Sequence, residues 1–166
     1  MRLVATAQAL LPVLGLAVLS ACSPALNWRQ ASVASVPVML PCKPDKARRS
    51  VTLVPHTLVM DMVGCEAGSA LFAVSRVELP EGVAAPEVLA AWRAQALAAL
   101  RASQVQDQPM AGATLLQAQG LRPDGRAVQA QLLWRLRGRQ IVHWAVYAER
   151  LGPDMTEPFF AETPQP

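Results

Sequence analysis

A chain of 166 residues that is 52% hydrophobic and 16% charged has the size of one ordinary domain and enough apolar content for a core without cofactors. Its 15 basic and 12 acidic side chains leave a net charge of +3, and only 5% of its residues are aromatic. That balance excludes the electrostatic footprint of a nucleic-acid binder.

Residues 1–21 read as a cleaved targeting segment. Arg2 is the only charge ahead of the apolar run "LVATAQALLPVLGLAVL", which is short for a spanning helix and is interrupted by Pro12 and Gly15. Leu19-Ser20-Ala21-Cys22 then resembles the bacterial lipobox, in which small residues precede the cysteine that becomes the first residue of the mature chain. The resemblance implies a Cys22 that carries diacylglycerol on its thiol and an acyl chain on its amine, an anchor far stronger than a single chain provides. Gram-negative lipoproteins retained in the inner membrane typically have aspartate at the next position, and here it is Ser23. The implied home is the outer membrane, on its periplasmic face, with 22–27 as a lipidated tether and 28–166 as a single domain.

That assignment settles an odd cysteine count. Cys22 takes lipid, and Cys42 and Cys65 are left in an oxidising compartment, where a pair of thiols forms a disulfide. Their spacing is far from the C-x-x-C of redox pairs. Closing a loop of roughly 24 residues is expected to stabilise the fold by about 3 kcal/mol.

Along the mature chain, "NWRQASVASVPVMLPC" alternates weakly and leads into "PCKPDKARR", which reads as a turn. Strands are expected in "SVTLV", "HTLVMDMVGC" and "ALFAVSRVEL", with "PH" and "EAGS" as the separators of an antiparallel meander. A helix is expected over 86–102, with Pro86 in its first turn and Leu89, Trp92, Ala96 and Leu100 on one face. The polar "SQVQDQPMAGA" reads as a connection, and a strand resumes in "TLLQAQGL". Asp124-Gly125 makes a hairpin turn into "AVQAQLLWRLR", where Val128, Ala130, Leu132, Trp134 and Leu136 share a face opposite Gln129, Gln131, Arg135 and Arg137. "QIVHWAVYA" is a further strand, and "DMTEPFFAET" closes the chain as a short helix with Thr156 at its N-cap and Phe159-Phe160 turned inward. Strands with segregated helices predict an α+β domain on an antiparallel sheet flanked by one long and one short helix.

The phrases "LPCKPDKARRSV", "GCEAGSALFAV", "GLRPDGRAVQAQ" and "EPFF" resemble a group of small betaproteobacterial lipoproteins, and the element order is similar to the PsbP-like fold. The resemblance implies that fold, a disulfide and an envelope location. It implies no catalytic residue.

Candidate chemistry is sparse. The two histidines, His56 and His143, lie in no catalytic motif, and no G-x-S-x-G, H-E-x-x-H, P-loop or G-x-G-x-x-G occurs. Nothing in the spacing of Asp61, Glu66, Glu78 and Asp124 selects a carboxylate pair. On a strand, His56, Leu58, Met60 and Met62 would share a face, and imidazole with thioethers suits copper(I). The competing reading makes the methionines core filling. Lys43, Lys46, Arg48 and Arg49, and then Arg135, Arg137 and Arg139, form two basic clusters that could meet anionic headgroups or an acidic partner, or simply face solvent. The expectation is therefore a lipid-anchored periplasmic module without catalytic, metal or cofactor residues. It would act by binding an envelope protein partner, with copper(I) handling or an unrecognised hydrolase as the alternatives.

Overall fold

In the computed structural model, residues 25–110 and 112–161 are described; the targeting segment and Cys22 lie outside them. Among the described residues, nine strands and two helices follow in the order β1 (Arg29–Val33), β2 (Val36–Leu40), β3 (Asp45–Leu53), β4 (His56–Ala67), β5 (Ala70–Glu78), α1 (Ala85–Ala99), β6 (Gln104–Met110), β7 (Ala113–Leu121), β8 (Ala127–Arg137), β9 (Gln140–Ala148) and α2 (Pro153–Phe160). Seven strands make one antiparallel sheet in the order β3-β4-β5-β9-β8-β7-β6, and β1 and β2 form a separate hairpin. The sheet is two meanders joined in the middle. The chain runs β3-β4-β5, crosses to the far edge through α1, and returns strand by strand until β9 pairs with β5. This is the α+β antiparallel architecture expected.

Period-2 alternation divides the sheet into two buried faces. On one, Leu58, Met60, Val77, Leu116, Leu132 and Trp134 pack against α1 through Val88, Trp92 and Leu100. On the other, Val63, Phe72, Val74 and Val146 meet the β1–β2 hairpin and α2. Phe72 anchors this second layer, with Trp28 edge-on at 5.8 Å and Phe159 at 5.2 Å. The Cys42–Cys65 disulfide, with Cα atoms 6.0 Å apart, ties the exit of the hairpin to β4.

Four expectations are corrected. "KARR" is not a turn, because it lies in edge strand β3 and pairs residue by residue with β4. "SQVQDQPM" is not a connection but the other edge strand, β6. Thr156 does not cap α2: Gly152 holds the N-cap position, and the Thr156 hydroxyl sits inside the helix and donates to the Gly152 carbonyl at 3.2 Å. In α1 the fully buried contacts are Val88 and Trp92, while Leu89 and Ala96 are only half-buried.

Candidate functional site

Helix α1 spans the sheet and is tied down along its length. Glu87 in its first turn meets the His56 Nε2 at 3.2 Å, the Gln95 amide donates to the Thr52 carbonyl at 2.7 Å, and Arg93 pairs with Asp107 at 2.8 Å. The first two contacts are with β4 and β3 and the third is with β6, so the helix bridges both halves of the sheet.

His56, Leu58, Met60 and Met62 do share the α1 face, as β4 alternation requires. Met60 is buried beside Leu58 in the core, however, and the His56 imidazole is engaged by Glu87. Cys65 points to the opposite face, where it is bonded to Cys42. Among the described residues no cluster of three or more His, Cys, Asp or Glu side chains could hold a metal ion.

The environment of His143 perturbs it strongly. It is buried beneath α1, stacked on Trp134 at 4.3 Å and edge-on to Trp92 at 5.3 Å. Its Nδ1 lies 3.2 Å from the Leu133 carbonyl, which can only accept, so this nitrogen carries the proton. Burial lowers its pKa to about 4, against a small opposing effect of the carbonyl. Ser75 lies opposite it on β5. Serine and histidine are 5% and 6% exposed, so a substrate has no access to them.

Of the two basic clusters, Lys46, Arg48, Arg135 and Arg137 lie on the sheet face opposite α1, whereas Arg49 pairs with Met60 on the α1 face and Lys43 and Arg139 lie outside the strands. Cross-strand register runs Arg48, Asp61, Arg76, Val142, Arg135 from β3 to β8, a row of about 19 Å at ordinary strand spacing. The row is of mixed sign. Asp61 lies 3.5 Å from both Arg48 and Arg76, Arg76 also pairs with Glu78, and Arg137 sits 5.9 Å above the Trp144 ring. Arg139 has a structural task, donating twice to the Leu79 carbonyl at 2.8 and 3.1 Å.

One apolar concavity was not foreseen. At the end of the sheet near the C-terminus of α1, Ala96, Leu100, Val128, Leu71, Leu121 and Tyr147 line a cleft of about 470 Å³. That is within the size range of small-molecule pockets. Leu71 and Leu121 leave 36% and 37% of their surface exposed at this end, and burial pushes the Tyr147 phenol up to about 12. The rim is built by Arg122, whose guanidinium donates to the Ser69 carbonyl at 3.0 Å, while Arg101 donates to the Arg122 carbonyl at 2.6 Å. Gly120 lets the layers close here, since a Cβ at this position would fall 2.2 Å from the Leu100 carbonyl oxygen. No sequence signal marks the cleft, because its walls come from five separate elements and turns.

No family model and no curated protein sequence matches the chain. Among solved structures, it is similar to the crystal structure of a protein of unknown function, PA94 of Pseudomonas aeruginosa. The TM-score is 0.41 and the identity 16%, over 84% of this chain and 98% of that one. So distant a similarity brings no function with it.

Proposed function

We propose that the protein is a non-enzymatic binding module of the cell envelope. It is held by lipid on Cys22 at the periplasmic face of the outer membrane, with a PsbP-like arrangement of its α+β domain. The observation that supports binding is the cleft beside α1: an apolar wall of ligand size with one buried phenol, and Arg122 and Asp124 among its lining residues. Such a site suits an apolar or amphipathic group with one hydrogen-bonding end, presented by an envelope partner or a small ligand. The lipobox supports the address.

The deciding measurement is the intact mass of the membrane-extracted protein, before and after reduction and thiol alkylation. The expected species begins at Cys22, carries three acyl chains, and labels two thiols only after reduction. An unlipidated chain would refute the anchor. Crosslinking in intact cells from a photoreactive residue at Leu121 reads the cleft itself; a reproducible envelope partner or lipid adduct is expected there. Competition titration with copper(I) tests the rival reading, which binding tighter than about micromolar would favour.

A further inference from the structure

A second concavity, on the sheet face opposite α1, is built almost entirely of amides. In β6, β7 and β8 the strands read Gln-x-Gln, and the register aligns them into two rows: Gln104, Gln119, Gln129 and Gln106, Gln117, Gln131. One step further along, Leu115 and Leu133 belong to the apolar core. The six glutamines therefore take over where the covering layer stops. Leu151, Gly152 and Thr156 at the start of α2 wall the groove on one side, enclosing about 250 Å³.

We propose that this groove binds an uncharged glycan. No charged and no aromatic side chain lines it, which removes the chemistry of anion, metal and aromatic-ligand sites. A glutamine amide both donates and accepts, as do sugar hydroxyl and acetamido groups. At strand spacing the six residues cover a patch of about 10 Å by 7 Å, the size of one or two sugar rings.

The amides are also available. Among the described residues, only Gln129 of the six has a side-chain hydrogen bond; its carbonyl oxygen accepts from the Leu151 N–H at 2.8 Å and docks the start of α2. Gln131 is 9% exposed and has no protein partner among those residues, and its amide atoms, which are not fully buried, open onto the groove. An extended peptide is the less suitable occupant, because peptide recognition relies on pockets for alternate side chains and this floor offers none. The inference does not depend on the lipid anchor or on the cleft beside α1.

The test uses the full-length protein in detergent, titrated with chitotetraose (N-acetylated) and with cellotetraose (hydroxyl only), followed by NMR of the glutamine side-chain amides. Saturable shifts confined to the six glutamines, with a Kd of about 1 mM or tighter, are expected for at least one sugar. The ratio of the two affinities tells acetamido recognition from hydroxyl recognition. Replacing the exposed pair, Gln106→Ala with Gln117→Ala, should weaken binding about tenfold, the loss of one or two hydrogen bonds. Val59→Ser, at an exposed strand position that lines neither concavity, should leave it unchanged, and thermal midpoints verify that both variants fold. Absence of shifts at about 10 mM of either sugar, equal binding by the double variant, or shifts produced by tetra-alanine and not by sugar would each overturn the proposal.

Discussion

Buried and neutral, His143 should make the fold sensitive to mild acid. Its pKa is about 4 in the folded chain against 6.5 when exposed, so between these values the unfolded state binds more protons than the native state. Stability from this site is therefore complete above pH 6.5 and is lost as pH falls through that value, with the loss levelling off below pH 4. The full difference is about 3 kcal/mol, of which about 2 kcal/mol has gone by pH 5 relative to pH 7. Urea unfolding followed by tryptophan fluorescence across pH 7.5 to 5 measures it, because Trp92 and Trp134 both touch the imidazole. His143→Asn keeps an N–H for the Leu133 carbonyl but has nothing to protonate. It should be less stable at pH 7, having lost two ring contacts, and its stability should fall far less between pH 7 and 5. Parallel pH profiles for the native chain and His143→Asn would refute the reasoning, since the histidine would then be charging without cost.

Two further perturbations test the packing. Replacing Cys42 and Cys65 with serine frees a sequence separation of 23 residues and should cost about 3 kcal/mol in chemical denaturation; a cost near zero would mean that the hairpin layer holds β4 unaided. Gly120→Ala drives a methyl into the Leu100 carbonyl and should lower stability by about 1–3 kcal/mol, read as a drop in thermal midpoint, and unchanged stability would show that α1 can slide.

What was legible in the sequence follows burial. β8 reads as alternating because Val128, Ala130, Leu132 and Trp134 all reach the α1 core, although Leu136, expected on the same face, is 46% exposed and Leu133 is buried on the other face. The two segments misread as turn and connection, "KARR" and "SQVQDQ", are the two edges of the sheet. An edge strand buries little, so its side chains need not alternate in polarity: Lys46 to Ser50 are exposed throughout, and Val105 is itself 41% exposed. Their strand character comes from the ladder with β4 or β7, which is not a local property. The start of α2 was placed late because Thr156 is a good capping residue, whereas Pro153 at the first turn already commits the chain to helix. The Gln-x-Gln pattern is visible in three strands, but one strand's pair looks like any solvated face. Only the register set by the β6–β7 and β7–β8 turns stacks them into a grid.

The β1–β2 hairpin shares no ladder with the main sheet and is held by side-chain packing and by the bond at its exit. Its amides should accordingly form a separate opening unit in hydrogen exchange, less protected than those of β5, β9 and β8. When it lifts, Val63, Phe72 and Val146 lose their cover while the seven strands persist. The pivot at Cys42 stays attached to β4, so reclosure is an intramolecular search over a few residues and outpaces association with a neighbouring chain. The disulfide and the short 41–44 connection to β3 together keep an opened hairpin beside the surface it covers.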